Sequence, residues 1–243
     1  MNRTLLALLS AFSLASPWLS PAAEELEVQE AGSFSRQARA IWKLRLAPQQ
    51  VAAIPSPDGK KAILVSAPSS PGGEERHAVR VRVGKREFPT AFGRWFNAEA
   101  AWTADSRAFF VTYSDGGDDG TYHVAVVQVT AGGLRISEPL QDGRALFQPT
   151  CAEPEVPSVA AVGWPARDAS RLLLAVVVPP GSTCSAARTF RAFEVRLPGA
   201  RVLERYDQFQ AKREFRTLMG EELTTAPDEC IRNPSACPAG ARR

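Results

Sequence analysis

The sequence predicts an all-β chain, a propeller-like array of about three four-stranded antiparallel blades followed by a short C-terminal helix. Three observations lead there. One pattern occurs three times, each copy supplies four strand-like segments, and a single helical pattern comes only after the last copy.

The first copy opens with VAAIPSPDGKKAILVSA at residues 51–67, the second with EAAWTADSRAFFVTYS at 99–114, and the third with VAAVGWPARDASRLLLAVVV at 159–178. Each is a short apolar strand, a polar turn carrying Asp and then Lys or Arg, and a longer strand. Pro57-Asp58-Gly59-Lys60 has the residues of a tight turn. Ala104-Asp105-Ser106-Arg107 and Arg167-Asp168-Ala169-Ser170-Arg171 stand in the same place. A third strand follows in each copy: HAVRVRV (77–83), HVAVVQV (123–129) and RAFEVRL (191–197). Val79, Val81 and Val83 alternate with Arg80 and Arg82, the period of a strand with one buried face. Gly84, Gly132-Gly133 and Pro198-Gly199 turn the chain into a fourth strand at 85–90, 134–140 and 201–207. The copies are assigned to residues 48–98, 99–157 and 158–207.

Asp207 with Gln210 three residues on forms a capping pair, and Ala211, Phe215, Leu218 and Met219 share a helical face, so a helix is expected over 208–220. At the other end, ELEV (25–28) and IWKLRL (41–46) are candidate extra strands. Together residues 23–223 form one domain, and 224–243 form a disulfide-stapled or flexible tail.

Ser56-Pro57-Asp58-Gly59-Lys60 followed by Ala62-Ile63-Leu64-Val65 resembles the repeat of TolB-like β-propellers, with Trp102-Thr103-Ala104-Asp105-Ser106-Arg107 as a degenerate second copy and Trp164 through Leu174 as a weaker third. The resemblance covers about residues 48–207. It implies a scaffold or binding module, often periplasmic, and the N-terminal α/β domain of TolB itself is absent. Closed propellers usually have at least four blades. The chain ends, the C-terminal helix or a second copy of the chain are the expected means of completing a three-repeat array.

The start of the chain points to export. Arg3 precedes an uncharged apolar stretch at residues 4–15, and Pro17, Pro21 and Ala22-Ala23 lead to Glu24-Glu25. That is the order of a cleavable signal peptide at 1–22, with cleavage after Ala22 or Ala23 and a periplasmic or secreted destination. The apolar run is too short to span a bilayer. Removing residues 1–22 takes away Arg3 and no acid, so the net charge of +3 becomes +2. So weak a balance gives no basis for nucleic-acid binding or for an anionic membrane surface.

Four cysteines, Cys151, Cys184, Cys230 and Cys237, read as disulfides in an exported chain, and spacing alone leaves three connectivities open. In a four-stranded blade the connections carrying Cys151 and Cys184 leave from the same face, so the repeat favours Cys151–Cys184 with Cys230–Cys237 stapling the tail. No Cys-x-x-Cys pair points to zinc.

No Gly-x-Ser-x-Gly, no His-Glu-x-x-His and no phosphate-cradling glycine motif occurs. His77 and His123 occupy equivalent positions in adjacent copies, which makes them architectural. The reading is noncatalytic: a protein that binds another protein through blade loops and needs no cofactor. The alternative is a small-ligand or calcium-binding protein, with a hydrolase less favoured. Asp115, Asp118 and Asp119 lie between glycines and are the candidate calcium ligands, although turn chemistry explains the same residues. Phe92, Trp95 and Phe96 are either packing residues or a binding patch. The connections at 68–76 and 144–158 are the better binding candidates, because loops on a rigid scaffold carry function.

Overall fold

A computed structural model of the chain describes residues 25–41, 43, 44, 46, 47, 50–66, 78–90, 97–114, 116, 120–140, 157–166, 169–178 and 189–227. Its strands fall into three mainly antiparallel sheets. In the first, β3 (Val51–Pro55), β4 (Lys61–Ser66), β5 (Ala78–Val83) and β6 (Arg86–Pro89) follow one another as neighbours, and β1 (Glu25–Glu27) adds parallel to β3. The second has β7 (Ala98–Trp102), β8 (Ala108–Ser114), β9 (Tyr122–Thr130) and β10 (Gly133–Ser137), with β2 (Arg39–Ala40) antiparallel to β7. The third has β11 (Ser158–Gly163), β12 (Arg171–Val177), β13 (Phe190–Arg196) and β14 (Arg201–Tyr206). The three repeats thus become three sheets of four consecutive strands, and the first two each gain an edge strand from the N-terminal segment.

The sheets stack in chain order. One apolar core joins the first and second through Ile63, Val65, Val81, Trp102, Phe109 and Val111. Another joins the second and third through Phe110, Val126, Leu172, Leu174 and Phe193. The far face of the third sheet packs Leu173, Val177 and Phe190 against the C-terminal helices through Ala211, Met219 and Leu223. Position in the stack explains the residue patterns. The middle sheet is buried on both faces, so β8 shows Phe109 to one core and Phe110 to the other and reads as a continuous apolar run. Among the described residues, the first sheet has a neighbouring sheet on one face only. Val79 and Val81 point into that core, and Arg80 and Arg82 lie opposite Leu64 and Ala62 on the other face. There Arg82 makes a bidentate pair with Glu25 (2.7 and 2.8 Å), and Arg80 reaches Glu87 at 2.9 Å.

The polar turn of the repeat has a defined job. In the first copy Ser56 Oγ donates to Asp58 Oδ1 (2.6 Å) and accepts from Lys61 N–H (3.0 Å), while Asp58 Oδ1 accepts from Lys60 N–H (3.0 Å). In the second, Thr103, Asp105, Arg107 and Ala108 repeat the network at 2.6, 3.1 and 3.0 Å. The Ser56 hydroxyl, with the Lys60 N–H and the Lys61 side chain, holds the Asp58 carboxyl well below the usual carboxylate range. Both turns need one left-handed residue, Gly59 (φ 66°) in the first and Ser106 (φ 58°) in the second. A non-glycine residue is strained there. Ser106 offsets the strain because its Oγ accepts the Asp58 N–H at 3.0 Å and ties the two turns together. A second tie repeats as well: Trp102 Nε1 donates to Ile54 O (3.0 Å) and Trp164 Nε1 donates to Ala101 O (3.2 Å). Each indole therefore satisfies its one donor on the inner strand of the preceding sheet.

The helix expected over 208–220 is shorter and is followed by another. The first, α1 (Gln208–Phe215), carries the expected capping box at Asp207 and Gln210. It stops because Leu218 O accepts from Arg36 N–H (2.8 Å) and Met219 bridges Ser35, contacts that an uninterrupted helix would forbid. The second, α2 (Glu221–Thr225), runs past the expected domain boundary at 223. Of the two candidate N-terminal strands, 25–28 supplies β1. In 41–46 no described residue is in a strand, and Leu44 and Leu46 instead pack against the first core.

The Ser106 tie and its strain are separable by mutation. Ser106→Ala removes the acceptor and keeps the strain, whereas Ser106→Gly removes both. Ser106→Ala is expected to be the less stable of the two in urea unfolding, by about 1 kcal/mol. Equal midpoints would show that the left-handed residue costs nothing. Thr103→Val leaves the buried Ala108 N–H without its hydroxyl partner, while Ala108 O keeps the Thr103 N–H, and should cost about 1–3 kcal/mol.

Candidate functional site

Because every sheet is antiparallel along β3–β6, β7–β10 and β11–β14, its connections separate into two sets. The strand ends joined across 56–60, 84–85, 103–107, 131–132, 164–170 and 197–200 lie at one end of the sheets. Those joined across 67–77, 90–97, 115–121, 138–157 and 178–189 lie at the other. The sheets are aligned, since Asp58 N–H meets Ser106 Oγ at the turn end (3.0 Å) and Tyr122 N–H meets Ser158 Oγ at the opposite end (3.1 Å).

That opposite end holds a cavity of about 90 Å³, lined by Ser33, Phe34, Asn97, Ala98, Glu99, Thr112 and Tyr122. Asn97 and Tyr122 stand at the roots of the 91–96 and 115–121 connections. Glu99 is the second residue of β7 and is only 3% exposed. Its neighbours come from the N-terminal segment, residues 25–41, which acts as a strap across the stack. The strap pairs with the first sheet through β1 and with the second through β2. It meets the third sheet through Gln37, whose Oε1 accepts Trp164 N–H at 2.7 Å. It meets the helices through Gly220 N–H to Phe34 O (2.8 Å) and Glu222 N–H to Ser33 O (3.0 Å).

At its centre the strap turns its backbone donors onto Glu99. Phe34 N–H donates to Oε2 and Ser35 N–H to Oε1, both at 3.1 Å. Burial pushes the Glu99 carboxyl up to about 8, against the opposing pull of the Phe34, Ser33 and Ser35 backbone. The strap can come this close because Gly32 has no side chain: a Cβ there would collide with Glu99 Oε2. Gly220 is held to glycine in the same way by Ser33 O on the strap's other side. Phe34 and Tyr122 meet edge to face with centroids 4.9 Å apart. Thr112, opposite Glu99 in the ladder, accepts Ala161 N–H at 3.0 Å and so fastens the third sheet to this point.

The candidate residues from the sequence lie elsewhere. Cys151, Cys184, Cys230, Cys237, Asp115, Asp118, Asp119, Phe92, Trp95 and Phe96 all fall outside the described residues, as does His77. The glycines flanking the acidic loop are described. The backbones of Gly116 and Gly120 nearly touch, and a Cβ on Gly120 would strike Gly116 N and Ser114 Oγ. Close approach therefore accounts for these glycines without a metal. Among the described residues no group of three or more His, Cys, Asp or Glu side chains is placed to hold a metal ion. His123 sits in β9 with its ring 5.6 Å from Tyr113. The sequence reading missed Glu99. The available signal was a lone acid inside the apolar stretch 98–102.

No known protein family, curated protein or solved structure matches the chain. No described helix is long and apolar enough to cross a membrane.

Glu99 gives the fold a pH dependence of defined sign. The folded protein keeps a proton that the unfolded chain, with a carboxyl near 4.5, releases. Its contribution to stability is complete below that value and is lost as pH rises toward about 8. Wild type should therefore lose stability relative to Glu99→Gln between pH 5 and 8, by up to a few kcal/mol in urea unfolding. A pH-independent difference would contradict the assignment. Gly32→Ala should lower the melting temperature at every pH.

Proposed function

We propose that the chain is a noncatalytic exported binding module, a TolB-like propeller-like array of three blades that recognises another protein through the end of the stack carrying its long connections. One observation carries this reading. The antiparallel order puts the strand ends joined by most of the longer connections at one end of the stack and those joined by mostly shorter turns at the other. A rigid stack that gathers its variable segments on one surface is the usual arrangement of a recognition scaffold.

The polar interior supports the same reading. Ser56, Thr103, Ser106, Thr112, Ser158 and Gln208 are buried, and each spends its side chain on a bond between strands, sheets or helices. Export is supported by the signal-like order of residues 1–22 and by the even number of cysteines.

Site-specific photocrosslinking in cells tests the proposal. A crosslinker at Ser69 or Ala145 is expected to capture a discrete protein partner, and one at Lys85 or Gly132 on the turn end is not. Capture from the turn end alone would refute it. Adducts of the chain with itself would assign the loop end to self-association. N-terminal sequencing of the exported protein should begin at Ala23 or Glu24.

A further inference from the structure

We propose that the cavity over Glu99 is a binding site for a primary ammonium group, carried by a small alkylamine or by the tip of a lysine side chain. Four features select that chemistry. First, about 90 Å³ is far below the roughly 300–1,000 Å³ of a drug-sized pocket and admits only a few heavy atoms. Second, Glu99 is buried with no cationic partner among the described residues, and its electrostatics are set by burial and backbone donors alone. Buried carboxylates are ordinarily paired. A carboxylate offers about four lone-pair positions, and the strap's Ser33, Phe34 and Ser35 N–H groups leave one. Third, the Phe34 and Tyr122 rings line the same space, and aromatic rings attract a cation. Fourth, Asn97 and Thr112 supply polar walls, whereas calcium would need six to eight oxygen ligands. A neutral molecule leaves the Glu99 carboxyl protonated and an anion opposes its ionisation, whereas an ammonium group pairs with the ionised form.

The surroundings make the binding pH-dependent. The strap presents Ser33 and Phe34, β7 presents Asn97 and Ala98, β8 presents Thr112 and β9 presents Tyr122. β2 sets Ala40 opposite Glu99. Beyond the strap, α2 contributes the backbone N–H of Glu222 to Ser33 O. Glu99 and Tyr122 are the titratable groups lining the cavity. An ammonium group binds the ionised carboxylate, so below about 8 each amine taken up releases a proton. The lysine arm of the proposal rests on the loop-end reading, since the lysine belongs to a protein partner. The small-amine arm stands without it.

The test titrates the exported chain with methylammonium chloride and, separately, with Nα-acetyl-lysine methylamide, against sodium chloride at equal ionic strength. Calorimetry in two buffers of different ionisation enthalpy counts protons, and amide NMR shifts of Ser33, Phe34 and Ser35 locate the site. Saturable binding is expected, strengthening about tenfold per pH unit between pH 5.5 and 7.5, with proton release. Ethanol, the uncharged counterpart, should bind at least about tenfold more weakly, and Glu99→Gln should weaken methylammonium by at least as much. Tyr122→Phe should keep the pH slope. If Glu99→Gln does not fold, the two-buffer comparison on wild type decides. Stronger binding of the lysine derivative assigns the site to a protein side chain, and stronger binding of methylammonium assigns it to a free amine. No saturable binding of either, equal binding of ethanol, or binding without proton release would overturn the proposal. Amine binding with no crosslinked partner would leave this site standing and remove the loop-end reading alone.

Discussion

The strap is the constraint on which the rest of the structure depends. Among the described residues it bonds to all three sheets and to the helix pair. Stacked sheets bury their faces against one another and leave inner strand edges to be satisfied. The strap does this for the first two sheets by adding β1 and β2. It also fixes residues far from it in sequence. Gly32 and Gly220 are glycine because the strap's backbone passes within contact of a carboxylate on one side and a helix start on the other. The helical segment divides after Phe215 because Leu218 and Met219 must present their backbone to Arg36 and Ser35. Glu99 is tolerated in a buried strand because strap amides donate to its carboxyl.

The repeat was legible because its signals are local. A hydroxyl, an aspartate two residues on and a left-handed residue after it close the turn in both of the first two copies, and the sequence shows these residues side by side. Strand alternation was equally informative. Arg80 and Arg82 mark a face without a neighbouring sheet, and Phe109-Phe110 marks a sheet covered on both sides. What escaped notice is non-local. β2 has two residues, too few for any period, and its pairing partner lies in another repeat. The division of the C-terminal helix was hidden for the same reason, since Ala211, Phe215, Leu218 and Met219 keep helical spacing while the backbone beneath them turns away.

The site was less legible than the fold. Attention went to acidic and cysteine-bearing connections because composition makes them conspicuous. Glu99 had only its isolation among alanines to mark it. Its character comes from the amides of Ser33, Phe34 and Ser35, and backbone donors carry no residue-type signature. A buried carboxylate served by main-chain groups is therefore nearly invisible to motif reading, whereas one served by arginine or lysine would have announced its partner. The tryptophan ties sit between these cases. Trp102 and Trp164 are conspicuous, but their acceptors, Ile54 O and Ala101 O, are again main chain.

The strap also sets an order of assembly. It is made before the sheets it binds, and its last partners, Gly220 and Glu222, are made near the end of the chain. During synthesis, each sheet can gather its own strands as they emerge, because consecutive strands are neighbours. The strap cannot complete its bonds until nearly the whole chain is present. A chain cut short before α2 therefore lacks the strap's bonds to Gly220 and Glu222, and its N-terminal segment stays open to proteolysis where the finished molecule's is held.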